Sequence, residues 1–344
     1  MKKAAIIACI MLAFPIDGLN AVETSYKINI IYTDKYNITL FGLEKLHPFD
    51  SEKYGKAYRY LINEAKLNKS DFYNPEIVSE QGLLSVHTQE YLDSLKNSAN
   101  VARIAELQIL ASLPNFLLQE RLLKPMKYAV GGTILGSQLA LKHGWAINLS
   151  GGYHHAKADS GSGFCFFADI PIAVYKLFKQ RPDMSILIID LDAHQGNGVE
   201  SIFADDPRVN IFDVFNGEIY PNDFDAKKYI DFQFPLPSQT ADKEYLALIQ
   251  REIPEAIKKT APDLIIYNAG TDIFKSDPLG RMDITADGII RRDEIVFRSA
   301  LEKRTPILMV LSGGYTKKSS VIIGKSIENL LTNVISAKNQ TVSK

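Results

Sequence analysis

The stretch Ile186-Leu187-Ile188-Ile189-Asp190-Leu191-Asp192-Ala193-His194-Gln195-Gly196-Asn197-Gly198 decides the fold. It opens on an unbroken apolar run dominated by isoleucine. Such a run, closed by a polar turn, is what a strand buried on both faces of a parallel sheet looks like. The polar residues follow at its carboxyl end, where open α/β sheets bind ligands. Residues two apart on an extended chain point the same way. Asp190, Asp192 and His194 are therefore expected to project into one crevice. Two carboxylates and an imidazole suit a divalent metal of the zinc type. The plainer alternative is a strand-end turn with solvated aspartates.

Working outward, the same unit of strand, loop and helix repeats. Strands are expected at 26–32, 145–149, 209–214, 263–267 and 306–311. Helices are expected over 51–66, from Pro125 to His143, from a cap at Asp169 to Lys179, from Val199, over 241–260 with a kink at Pro254, over 285–304 and over 318–335. The alternation predicts an α/β fold, a mainly parallel sheet with helices on both faces, in one domain over residues 22–344. Four of the apolar strands end in polar or glycine-rich turns: at His154-His155, at Asp190-Asp192-His194, at Asp272 and at Tyr315. One crevice can collect all four.

Composition narrows the partners. The 344-residue chain has 39 basic and 40 acidic residues, a net charge of −1, so nothing points to nucleic acid. The first 21 residues stand apart: a basic start at Lys2-Lys3, an apolar run from Ala4 to Phe14, then a small-residue site ending at Ala21. That is the build of a secretory signal peptide, too short to span a bilayer. It predicts an exported, periplasmic or secreted protein with no membrane span in the mature chain; the alternative is an uncleaved segment and a cytoplasmic protein. Of the two cysteines, Cys9 lies in this segment, which leaves Cys165 without a partner. Its apolar setting, Gly163-Phe164-Cys165-Phe166-Phe167, reads as a buried structural thiol.

The four turns suggest a chemistry. Asp192, His194 and Asp272 supply three metal ligands and leave a position open for water, the pattern of a catalytic rather than a structural site. Such oxygen-rich ligation admits iron or manganese beside zinc. Adjacent residues on an extended turn point apart, so His154 and His155 should differ in role, one a general base and one an acid or electrostatic partner. Asp190 can orient His154, and Asn197 can orient His155. A carboxylate favours a protonated imidazole and an amide does not, so their basicities should differ. The Tyr315 phenol, delivered by Ser312-Gly313-Gly314, can donate to a developing oxyanion. His47, before Pro48, is expected at the rim of the site; His87 and His143 read as ordinary helix-end residues.

Gly151-Gly152-Tyr153-His154-His155, Asp190 to Gly198, Asn268-Ala269-Gly270-Thr271-Asp272 and Ser312-Gly313-Gly314-Tyr315 together resemble the zinc-dependent histone deacetylases. Asp192 to Gly198, Tyr36-Asn37-Ile38-Thr39, Gly42 to Asp50, Leu113 to Leu117 and Gly144 to Asn148 look like the class IV, histone deacetylase 11-like branch. The resemblance covers about residues 26–335. It implies a three-layer, arginase-like α/β fold and hydrolysis of an acylated lysine amide in a peptide or protein. It implies zinc, with ferrous iron compatible, on Asp192, His194 and Asp272. His154, His155, Tyr315, Asp190 and Asn197 become the catalytic set, with Gly163, Phe164 and Tyr220 lining an acyl tunnel. A structural potassium ion near Asp190, held partly by the carbonyls of Asp192 and His194, is also implied. Asn197 stands where many relatives carry Asp, as in the class IV branch, which is associated with long fatty acyl chains. An exported chain departs from the cytosolic and nuclear members, which argues against histones as its substrate. Acetylated polyamines or other small amines are a rival substrate class. A silent acyl-binding protein is a rival of another kind, against which every motif residue is present.

Overall fold

A computed structural model describes residues 28–336. The signal segment expected at residues 1–21 lies outside them. Seven strands form one sheet: β1 Ile30–Ile31, β2 Trp145–Asn148, β3 Ile186–Asp190, β4 Val209–Asn216, β5 Phe232–Leu236, β6 Leu264–Asn268 and β7 Ile307–Val310. Their order is β1-β2-β7-β6-β3-β4-β5, and every pairing is parallel. The expected α/β architecture is therefore present.

Both faces of the sheet are dry. Leu187 and Ile189 enter one apolar core, while Ile186 and Ile188 enter the other. Helices Lys53–Asn63, Asp242–Thr260, Ala286–Glu302 and Ser319–Asn329 feed the first core. Helices Lys124–His143, Asp169–Phe178 and Asn197–Ile202 feed the second. This double burial is why β3 carries no polar alternation.

Several expectations are corrected. No strand was expected over β5, Phe232-Gln233-Phe234-Pro235-Leu236, which contains a proline that cannot donate to a ladder. It lies at the sheet edge, paired only with β4, where that donor is dispensable. Pro125 does not open its helix: the chain is already helical from Asn115 and passes through a π turn at Gln119–Leu123 into Lys124–His143. Asp169 is not a cap. Ala168 occupies that position, and the Asp169 carboxylate turns back to the chain after β2.

The topology makes the site. Strands β2, β7, β6 and β3 are neighbours in that order, and all run the same way. Their carboxyl ends lie side by side along one edge. The four polar turns are those ends.

Candidate active site

The turn after β3 brings Asp192 and His194 against Asp272, which follows β6. Ligand atoms of the three lie within 4.8 Å of one another, and all three residues are buried. His194 Nδ1 is 3.0 Å from Asp192 Oδ1 and 2.8 Å from Asp272 Oδ2. Backbone N–H groups aim the carboxylates: Gly313 N donates to Asp192 Oδ2 at 3.0 Å, and Ala193 N donates to Asp272 Oδ1 at 2.9 Å. Glycine is required around them. A Cβ at Gly270 would come within 2.1 Å of Asp192 Oδ2, and one at Gly313 within 2.4 Å of Asp272 Oδ2. Burial, and then the Asp192 charge, push the Asp272 carboxyl up to about 7. Two carboxylates crowded into one dry space favour a cation between them, so the donor set fits a divalent metal.

The tandem histidines follow β2. Their rings are 4.1 Å apart and both face the same small chamber, so the expectation that they point apart is corrected. The chain is not extended there: Gly151 and Gly152 have φ of +81° and +85°, which folds it back. Asp169 fixes this turn by accepting from Gly152 N at 2.9 Å and Tyr153 N at 2.8 Å, and Thr133 Oγ1 donates to it as well.

The two imidazoles have different partners. His154 Nδ1 meets Asp190 Oδ2 at 2.8 Å, while His155 Nδ1 meets Asn197 Oδ1 at 2.9 Å. Asp190 is itself held, accepting from Asn268 Nδ2 at 3.0 Å and Asp192 N at 3.1 Å. Burial opposes a charge on His154, but Asp190 and Asp192 outweigh it and raise its pKa to about 9. Burial, with His154 and His194 nearby, drives His155 well below the ordinary histidine range. At neutral pH one ring is therefore charged and its neighbour neutral.

Above this floor opens a cavity of about 630 Å³, a normal size for a ligand site. Gly163, Phe164 and Tyr220 line it with His155, His194 and Tyr315. Phe164 stacks on His47 at 4.6 Å, so His47 is a wall residue. The Tyr315 ring is 6.2 Å from His194. Burial and the nearby Asp272 and Asp192 hold its phenol well above 10, so it keeps its proton. Deeper lies a chamber of about 30 Å³ beside Phe49, Tyr54, Tyr153 and Cys165. Cys165 is a free, buried cysteine.

Sequence reasoning missed residues that act on backbone. Asp277 accepts from Tyr315 N at 2.7 Å and holds the turn that carries the phenol. Lys53, fully buried, donates to the carbonyls of Ser312 and Gly313 at 2.7 and 2.8 Å. Arg292, equally buried, donates to the carbonyls of Leu191, Ala269 and Gly270. Nothing in the spacing of these residues ties them to the site, because there they meet carbonyls and N–H groups that every residue has; the side-chain partner of Arg292, Asp293 Oδ1 accepting from Arg292 Nε at 2.8 Å, is the next residue in the chain. Glu200 and Asp213 were also missed. They are buried near Asp190, and Glu200 Oε1 and Asp213 Oδ1 have no hydrogen-bond partner. His87, expected as an ordinary helix-end residue, is buried, and its Nε2 accepts from Ala168 N at 3.0 Å.

Residues 47–331 match the family model described as the histone deacetylase domain. Histone deacetylase 2 of Arabidopsis thaliana is 48% identical over 304 residues, covering 88% of this chain and 79% of that protein. An uncharacterized protein of a Picosynechococcus species is 33% identical over 271 residues, covering 79% of this chain and 87% of that one. Human histone deacetylase 1 is 26% identical over 286 residues, covering 78% of this chain and 58% of that protein. Among solved structures, the crystal structure of the HDA15 HD domain superposes with a TM-score of 0.72 at 21% identity, covering 89% of this chain and 88% of that one. That likeness supports the arginase- and deacetylase-like fold. With a family model matching most of its length and a relative at nearly half identity, the chain belongs to the histone deacetylase family.

Proposed function

We propose that this protein is a metal-dependent amidohydrolase that removes acyl groups from lysine side chains. The observation that carries the reading is the buried Asp192–His194–Asp272 group at the floor of an open cavity, with His154 held by a carboxylate and His155 by an amide beside it. Asp192, His194 and Asp272 would hold the ion, with zinc expected from the donor set and ferrous iron compatible. Bound there, such an ion supplies a Lewis acid that polarises the scissile carbonyl and lowers the pKa of water to ~7. His155, neutral, takes a proton from the attacking water at Nε2. His154, charged through Asp190, stabilises the negative charge that develops. Tyr315 donates its phenol proton toward the developing oxyanion. The protonated base then returns its proton to the departing lysine amine. Phe164, Gly163 and Tyr220 flank the aliphatic part of the lysine. A structural potassium ion near Asp190 is supported by two buried carboxylate oxygens close by, Asp213 Oδ1 and Glu200 Oε1, that accept no hydrogen bond.

The finer assignment is to the class IV branch, with long fatty acyl groups as the favoured substrate class and one catalytic domain over residues 22–344. It rests on Asn197 and the branch motifs around Tyr36, Gly42 and Leu113. One observation favours a second reading, short acyl groups: the inner chamber, at about 30 Å³, holds little more than a water. A long chain must run through the outer cavity or displace Phe49 and Tyr54. Turnover of acetyl-, octanoyl- and myristoyl-lysine peptides and of acetylated polyamines by the metal-loaded protein tests all of this. The expected order is myristoyl over acetyl. Cleavage of acetylated small amines with no peptide cleaved would overturn the reading.

A further inference from the structure

Asn197 creates a problem that Asp190 does not. A carboxylate presents the same acceptor to its histidine whichever way it is turned, whereas an amide has two different ends. With Oδ1 toward His155 Nδ1, the ring must donate from Nδ1, which leaves a lone pair on Nε2. Flipped, the amide would donate to Nδ1 and push the ring proton to Nε2. That tautomer cannot accept a proton at the face that meets substrate. The amide alone has no reason to prefer either orientation.

The loop after β4 supplies one. Asn197 Nδ2 donates to Asp223 Oδ2 at 3.2 Å. Burial works against the Asp223 charge, but Lys157 and the Ala226 N–H outweigh it and hold the carboxyl at about 2. An ionised carboxylate only accepts, so the group facing it must be the amide nitrogen, and Oδ1 must face His155. Asp223 is fixed in turn. Lys157 Nζ donates to it at 2.8 Å, and Ala226 N donates at 3.1 Å. Gln195 grips its backbone from both sides, accepting from Asp223 N at 2.9 Å and donating to Asp223 O at 3.0 Å. Gln195 lies in the same turn as Asn197, so the carboxylate and the amide are held in one frame.

We infer that Asp223 is a positioning residue for His155: it sets the orientation of the Asn197 amide and, through it, the His155 tautomer with the lone pair on Nε2. The arrangement orients the ring without placing a second carboxylate against it, and Lys157 offsets the charge one amide further out. The same loop carries Tyr220, whose ring lies 5.1 Å from His155, so the cavity wall and the base share an anchor. The inference rests on the proposed role of His155 as the base.

Four variants test it: Asp223→Leu, Asp223→Asn, Asn197→Asp and the Asn197→Asp/Asp223→Leu pair. In Asp223→Leu, kcat on an acyl-lysine peptide should fall about tenfold or more, with KM and metal content little changed. Asp223→Asn, which can still accept from Nδ2, should recover most of the loss. In the Asn197→Asp background the aspartate needs no orienting, so adding Asp223→Leu should cost less than about twofold. Nitrogen NMR of histidine-labelled protein should show His155 protonated at Nδ1 in the wild type and mixed tautomers in Asp223→Leu. Equal loss of kcat in both backgrounds, or an unchanged His155 tautomer in Asp223→Leu, would overturn the inference. Absence of peptide turnover in the wild type would count against the deacylase reading instead, and the tautomer signal would still decide the role of Asp223.

Discussion

Tyr315 is a single phenol on a glycine turn, and its protonation follows from where it sits. Burial beside Asp272 and Asp192 keeps the proton on, and Asp277 and Lys53 hold the backbone that aims it. Replacing Tyr315 by Phe removes one hydrogen-bond donor and leaves the packing and the Asp–His–Asp group untouched. Turnover should fall about 100-fold or more with metal content intact. Unchanged turnover would take away its assigned role. At this scale the sequence was legible wherever residue type carried the chemistry. Asp190, Asp192 and His194 alternate on an extended chain, and alternation alone puts them on one side. The roles of Asp169, Asp277, Lys53 and Arg292 were not legible, since what they hold at the site is backbone brought close only by the fold.

Among the elements, the strands were easier to read than the turns between them. β3 and β6 are apolar up to their carboxyl ends, at Asp190 and Asn268, because both faces of the sheet are covered. β5 was not expected; it tolerates Pro235 because the missing donor costs nothing at a sheet edge. The turn at His154-His155 was misread because two left-handed glycines replace the extended geometry that the prediction assumed. His87 joins two elements in a way spacing does not reveal. It lies just ahead of the helix Gln89–Ser94, and its Nε2 accepts from Ala168 N at the start of Asp169–Phe178. Burial lowers its pKa to about 4, from an ordinary value near 6.5. The unfolded chain therefore binds a proton between those values that the folded chain does not. Stability should hold above about pH 6.5 and fall as pH drops toward 4. The contribution of this one site is at most roughly 3 kcal/mol. Urea unfolding at pH 7.5 and pH 5 should show the loss in the wild type and a smaller one in His87→Gln. Equal losses would remove His87 as a cause.

For the whole molecule, the alternation of strands and helices predicted the parallel sheet, but not the strand order. That order matters, because β2, β7, β6 and β3 stand together and so gather four turns that are far apart in the chain. Among the described residues, no helix is long and apolar enough to cross a membrane. The export reading rests on residues 1–21 and predicts a mature chain that begins after Ala21. N-terminal sequencing of protein from the native host checks it, and a start at Met1 would end it. The central claim is that Asp192, His194 and Asp272 hold the ion on which acyl-lysine hydrolysis depends. Elemental analysis and peptide turnover, measured together on the wild type and on His194→Ala, test it most directly. About one divalent ion per wild-type chain is expected, with loss of both metal and turnover in His194→Ala. Full metal occupancy in a folded His194→Ala protein would contradict it.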